Sequence, residues 1–278
     1  AMTTLNADAA RAAVAECAAG RDVAGLALTG ALHSVLGLDA AGAAVTPVHL
    51  WGRHPVLGRG QAAAVSLGTS AALRVAASSP AVNGRTFCYL LADDTWVIGG
   101  AVSNGGVVAQ WAAELLGADL PALLSEVADV APGSTGLLAL PALLGERAPY
   151  WDPTPRGTLL GLRRDHRRAH VVRALLDGVC LRLAMVRDAV VHAGTPVDTV
   201  RATGGALRSP AWTASLTTAL GVPVQVADAT GGSALGAALL GWRALGAVAR
   251  LATLRPLADR AHEALRQISI ELATLSFD

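Results

Sequence analysis

The stretch AAAVSLGTSAALRVAA, residues 62–77, constrains the fold more tightly than any other part of the chain. Two runs of small apolar residues flank a Gly-Thr-Ser triplet, which predicts two strands joined by a turn tight enough to favour glycine. A turn of this kind also presents backbone N–H groups and two hydroxyls in one place, so it is a candidate for holding phosphate. An ordinary hairpin turn is the alternative.

Further strand and helix signals follow in order. TFCYLLADDTWVIGGAV predicts two strands joined at Asp93 and Asp94, and SNGGVVAQWAAELLG predicts a turn opening a helix. Residues 118–162 are looser and rich in Gly and Pro; three prolines keep GERAPYWDPTPRG out of regular helix. Next comes the longest predicted helix, with Asp165 as its expected cap. Val171, Leu175, Val179, Leu183 and Val186 carry its 3.6-residue period toward Ala193. VDTVRATGG predicts a strand ending in a glycine turn, SPAWTASLTTALG a helix, VPVQVAD a strand, and GSALGAALLGWRALG and LADRAHEALRQISIELATL two more helices. Upstream, residues 7–19 predict a helix stopped at Gly20, VAGLALTG a strand, and SVLGLDAAGAAVTPVHLW a hairpin about DAAG. Antiparallel strands followed by alternating helix and strand are the order of an α/β, ribonuclease-H-like or actin-like lobe.

Composition excludes several chemistries. All 22 basic residues are arginine, so a Walker-type phosphate loop and Schiff-base catalysis, both of which need lysine, drop out. A net charge of +1 with dispersed arginines argues against a nucleic-acid surface. Cys17, Cys88 and Cys180 form no CxxC pair, which predicts free thiols in a reducing compartment, hence the cytoplasm. No signal peptide or membrane helix is expected: the longest uncharged apolar run, residues 23–38, is broken by His33, Gly, Thr and Ser.

Five segments together resemble the FGGY family of carbohydrate kinases, above all its gluconate- and xylulose-type members. They are VSLGTSAALRV, GRTFCYLLADDTWVIGGAVSNGG, GERAPYWDPTPRGTLLGL with HRRAHVVRALLDGV, RATGGALRSPAWTASL, and GGSALGAALLG, in family order over residues 64–246. A weaker likeness covers VAGLALTGALHSVLGLDAAGAAVTPVHLW. The resemblance implies an actin-like nucleotide lobe over residues 59–278, preceded over 1–58 by a helix, strand and hairpin remnant of a sugar-binding lobe. It implies ATP and Mg²⁺ as cofactors and a sugar or sugar acid as ligand.

By the same resemblance, Gly68, Thr69 and Ser70 match a phosphate turn, and Gly204, Gly205 and Ser209 match the turn on which adenine and ribose lie. For the latter, a strand-to-helix turn capped by Ser209 is the structural alternative. Asn104, Gly105 and Gly106 match a turn facing the cleft, which makes Asn104 an expected substrate contact, and His33 and Trp51 match sugar contacts, a core histidine being the alternative for His33. Gly231 and Gly232 either cap a helix or sit near the nucleotide. His166 and His170 have a spacing that can bind metal, yet the family pattern places them there for structural reasons, and no metal ligand is assigned. Glu146, Asp152 and Arg156 are candidates for substrate contact or for ion pairs that order their loop.

Measured against the family, two blocks are missing. One is an Asp-x-Gly-Thr turn at the start; the other lies between Gly52 and Gln61, where the family carries the aspartate that deprotonates the sugar hydroxyl. No aspartate lies between Asp39 and Asp93, so no catalytic residue is assigned. The expectation is an internally truncated kinase with weak or no phosphotransfer alone. An active kinase with a substitute base or partner subunit, and a binding or scaffolding protein that reuses the cleft, are the alternatives. Orphaned N-terminal strands would leave open edges, which predicts a homo-oligomer or a partner protein.

Overall fold

Six strands of the computed structural model form one mixed sheet, built from the segments that the glycine turns separate. The structure describes residues 62–227 apart from 93–94 and 134–135, together with four two-residue strands and positions 15 and 19 nearer the N-terminus. The chain divides into two compact units, one of Ala1–Arg53 with Ser233–Asp278 and one of His54–Gly232. In the first unit, Leu26–Ala27 pairs antiparallel with Gly37–Leu38, and Ser34–Val35 with His49–Leu50. The second of these ladders is the pairing expected of the hairpin about DAAG. His33, Trp51, most of the helix expected over 7–19, the junction 52–61, Gly231, Gly232 and the two last expected helices lie outside the described residues. So does the proposed assignment of residues 228–278 to the nucleotide lobe.

In the second unit, β1 (Ala62–Leu67) and β2 (Ala71–Ala77) form the hairpin read from the sequence, and β3 (Phe87–Ala92) and β4 (Thr95–Val102) form a second. Helix α1 (Val107–Leu115) follows, then α2 (Leu120–Ala128) and a ribbon of β5 (Leu138–Leu140) with β6 (Thr158–Leu160). After α3 (Arg168–His192) come β7 (Thr199–Thr203), a 3₁₀ turn (Gly205–Arg208), α4 (Pro210–Leu220) and β8 (Val224–Val226). The sheet order is β8-β7-β1-β2-β4-β3. Strands β1 to β4 pair antiparallel, while β7 lies parallel to both β1 and β8. That arrangement is the actin-like α/β lobe expected.

Alternation along the strands sets the core. Ala63, Val65 and Leu67 of β1, Leu73 and Val75 of β2, and Ile98 and Val102 of β4 are buried in one cluster with Leu176, Val179, Leu183, Val186 and Val190 of α3. A period of 2 on the sheet thus meets a period of 3.6 on a helix of 25 residues. Gly100 of β4 lets the sheet and α3 approach closely, since a β-carbon there would stand 2.7 Å from Cγ1 of Val186. Among the described residues no single helix is long and apolar enough to cross a membrane.

Buried Arg173 fastens three helices together. Its guanidinium donates to the carbonyls of Ala211 (2.7 Å) and Val127 (2.7 Å) and to the Ser215 hydroxyl (2.8 Å). Ser215 in turn donates to Asp177 at 2.5 Å. A buried cation survives here because its neighbours supply three acceptors to Nη1 and Nη2, although the buried Nε has no hydrogen-bond partner among the described residues.

Two local expectations are corrected. The looser region contains α2, because Asp119 accepts from the Ala122 N–H at 3.1 Å and Pro121 falls in the first turn, where a missing N–H costs nothing. Helix α3 begins beyond Asp165: its cap is Arg167, whose N–H donates to Nδ1 of His170 at 2.9 Å. Asp165 pairs instead with exposed Arg163, Nη2 to Oδ2 at 3.1 Å.

Candidate functional site

Three glycine turns meet at one end of the sheet. The first leaves β1 at Leu67 and enters β2 at Ala71, closed by the Gly68 N–H donating to the Ser70 carbonyl at 3.0 Å. The second leaves β4 at Val102, opposite Ala71, and runs through Ser103, Asn104, Gly105 and Gly106 into α1. Its N–H groups bind the first turn directly: Gly106 to the Gly68 carbonyl at 2.7 Å, and Gly105 and Val107 to the Thr69 carbonyl at 3.2 Å each. The third leaves β7 at Thr203, which the parallel register places opposite Ser66, so Gly204 arrives beside Leu67.

Glycine is required for this nesting. A β-carbon on Gly105 would stand 2.6 Å from the carbonyl carbon of Ser70, and one on Gly106 would stand 2.9 Å from the Gly68 oxygen. Gly204 combines a φ of 127° with a β-carbon position 2.2 Å from the Leu67 oxygen. On the other side the backbone is bare. Among the described residues, a β-carbon on Gly205 would meet nothing within 4 Å, and one on Gly68 would meet only the Ser70 oxygen at 3.8 Å. Gly68, Thr69, Gly204 and Gly205 are all exposed. A group approaching here reaches main chain directly, with the N-terminus of α1 alongside Gly68 to favour negative charge.

Ser209 occupies the cap position of α4, as the sequence reading has it, but its side chain makes no capping hydrogen bond. Its hydroxyl oxygen is buried and has no hydrogen-bond partner among the described residues. The simple cap therefore does not account for this serine.

The loop between β5 and β6 packs behind the second turn. Asn104 is fully buried and donates from Nδ2 to the Gly145 carbonyl at 2.7 Å and to Oε1 of Glu146 at 3.3 Å, while its Oδ1 accepts from the Leu144 N–H at 3.0 Å. Arg147 donates to the Val102 carbonyl at 3.1 Å and to the Ser103 hydroxyl at 3.2 Å, and the Ala148 N–H donates to Ala101 at 3.0 Å. Glu146 is buried and faces Arg182 of α3 at 3.5 Å. Burial pushes its carboxyl pKa up, against the opposing pull of Arg182, Asn104 and Arg147. Burial lowers that of Arg147, with Glu146 opposing. The Arg182 guanidinium also lies 4.9 Å from the centre of the Tyr150 ring, and Trp151 holds a φ of 55°, uncommon for a non-glycine residue.

Gly68, Thr69, Ser70, Asn104, Gly204, Gly205 and Ser209 are thus gathered by the fold at one end of β1, β4 and β7. Of the loop residues, Glu146 orders the loop through an ion pair. Asp152 accepts from the backbone N–H and hydroxyl of Thr154 at 2.8 and 2.7 Å. Arg156 donates to the carbonyls of Pro153, Thr154 and Pro155. The two histidines are local caps: Nδ1 of His166 accepts from the Arg163 N–H and Nδ1 of His170 from the Arg167 N–H, both at 2.9 Å. Among the described residues no group of three or more His, Cys, Asp or Glu could hold a metal ion. The sequence reading missed Arg147 and Arg182, because neither carries a local signal of the contacts it makes with distant segments.

The profile of the FGGY family of carbohydrate kinases, C-terminal domain, matches residues 63–245. The gluconokinase of Bacillus subtilis (strain 168) is 40% identical over 200 residues, which span 66% of this chain and 39% of that protein. Among solved structures, a gluconate kinase from Lactobacillus acidophilus matches with a TM-score of 0.64 and 28% identity, over 77% of this chain and 47% of that one. A xylulose kinase from Rhodospirillum rubrum matches with a TM-score of 0.61 and 27% identity, over 80% and 48%. The chain therefore spans less than half the length of these relatives.

Proposed function

The chain belongs to the FGGY family of carbohydrate kinases, and from that premise we infer that the unit of residues 54–232 holds ATP with Mg²⁺ at its three glycine turns. Gly68, Thr69 and Ser70 hold the terminal phosphates; Gly204, Gly205 and Ser209, whose hydroxyl has no hydrogen-bond partner among the described residues, hold the nucleoside end. The observation that carries this reading is the nesting of the turns with bare main chain on the open side. Phosphate needs N–H donors and a positive helix end, and a nucleotide needs close backbone approach; no lysine is required for either. Mg²⁺, when bound with the nucleotide, spreads the phosphate charge.

The acceptor in this reading is a sugar or sugar acid, in keeping with the gluconokinase relative, and His33 and Trp51 remain its proposed contacts. Phosphotransfer by this chain alone is weak or absent. The interval from Asp39 to Asp93, where a general base is expected by resemblance, contains no aspartate. Loss of a general base lowers a rate by about a hundred- to ten-thousandfold. A cytoplasmic location, the internal junction near residues 52–61 and association with a second copy or partner belong to the same proposal.

A coupled ADP-release assay over a panel of sugars and aldonic acids tests the catalytic half. Turnover no higher than the background ATPase rate is expected. Turnover well above it, with one acceptor preferred, would establish an active kinase with a substitute base.

A further inference from the structure

We propose that Asn104 is a positioning residue: with Arg147 it locks the Asn104–Gly106 turn to the loop of residues 144–148, and through that turn it sets the Gly68–Ser70 turn. The phosphate half of the inference rests on the nucleotide reading above; the mechanical half stands on geometry alone.

The connection runs through an unbroken series of short contacts. Three hydrogen bonds of 2.7, 3.3 and 3.0 Å tie the Asn104 amide to Gly145, Glu146 and Leu144. Both amide hydrogens are consumed inside the protein, so Asn104 has no donor left for a sugar. Arg147 grips the two preceding residues at Val102 and Ser103 from the same loop. Residues 105–107 then donate three N–H groups to the carbonyls of Gly68 and Thr69. Those carbonyls belong to the turn in which Gly68 and Thr69 are exposed. The loop is itself anchored by the Ala148 N–H on Ala101 and by Glu146 against Arg182 of α3.

A substrate contact would leave the Asn104 amide facing open space. Instead the side chain is fully buried and turned toward residues about forty positions later in the chain. Its removal should loosen the first turn while leaving the Gly204–Gly205 turn in place, because that turn is held by the β7–β1 ladder and the Leu67 contact.

Hydrogen exchange and nucleotide binding on the full chain test this together. In Asn104→Ala the Gly105, Gly106 and Val107 amides should exchange at least about tenfold faster, with β7 and α4 amides unchanged. The ratio of ATP to adenosine affinity should fall about tenfold, because only the phosphate end loses its holder. If Asn104→Ala does not fold, Arg147→Ala carries the same test at a half-buried position, and Arg147→Lys should restore part of the protection. Unchanged exchange at residues 105–107 would overturn the proposal, and faster exchange with an unchanged ATP-to-adenosine ratio would overturn its phosphate half. Failure of the unaltered chain to bind ATP or adenosine would overturn the nucleotide reading and the phosphate half with it. The exchange rates would still decide whether Asn104 fixes the turn.

Discussion

Gly204 stands against Leu67 so closely that a β-carbon on the glycine would lie 2.2 Å from the leucine carbonyl oxygen. The contact joins the ends of two parallel strands, β1 and β7, and brings the turn after each into one place. Gly204 also has φ 127° and ψ 155°, a region that side-chain-bearing residues avoid. Gly204→Ala should therefore lose about 1–3 kcal/mol from the backbone alone, and more from the clash. Its neighbour differs: among the described residues nothing lies within 4 Å of a β-carbon on Gly205, so Gly205→Ala should change stability by no more than about 0.5 kcal/mol. Urea unfolding of the two variants checks the contrast, and equal losses would contradict the nested geometry.

Arg173→Met leaves the carbonyls of Ala211 and Val127 without their donor in a buried junction of three helices. Each orphaned acceptor costs about 1–3 kcal/mol, partly offset by the apolar replacement, so a loss of about 2–4 kcal/mol is expected in urea titrations. A neutral result would mean that the helices are held without this staple.

Glu146 gives the fold a defined pH dependence. Burial raises its carboxyl pKa above the ordinary value of 4.5, so the folded state keeps a proton that the unfolded chain has already released. Folded protein then binds more protons than unfolded in that window, and this group's contribution to stability is present below the ordinary value and falls as pH rises through the raised one. Glu146→Gln cannot titrate. The stability of the unaltered chain relative to Glu146→Gln should therefore decline from about pH 4 upward, measured by urea unfolding at each pH. A difference that grows with pH would reverse the sign and refute the assignment.

Cys180 is fully buried in α3, and burial pushes its thiol pKa up. Cys88 is half-exposed and free. In a Cys17→Ser background an aromatic disulfide reagent should titrate Cys88 in the folded protein, while Cys180 reacts only at the rate of unfolding. Rapid labelling of both thiols would contradict the packing of α3 on the sheet.

Much of this fold was legible because its signals are local. Strands β1 to β4 each carry an apolar run closed by Gly, Asp or Ser, and α4 lies between Pro210 at its start and Gly221 in the left-handed conformation at its end. Helix α2 was hidden because Pro121 reads as a breaker, although in a first turn it is accommodated. The start of α3 was displaced because Asp165 is a better cap by type than Arg167. Here a histidine three residues on supplies the acceptor instead. The spacing of His166 and His170 suggests a metal pair, yet each ring serves the N–H three residues before it.

At the candidate site the glycines were legible and their mutual contacts were not. Nothing near Asn104 in sequence announces that its amide is spent on Gly145 and Leu144. Likewise the pairing of Glu146 with Arg182 depends on a loop folding back on α3. Such contacts join distant stretches, and they exist only once the sheet has set its register.

Calorimetric titration of the chain with Mg²⁺-ATP tests the nucleotide reading most directly. The account predicts saturable binding at a single site, weakened about tenfold by Gly205→Ala, whose added methyl would occupy the space open to the ligand while stability is unchanged. Absence of saturation at concentrations of about 1 mM and above, or binding indifferent to Gly205→Ala, would contradict it.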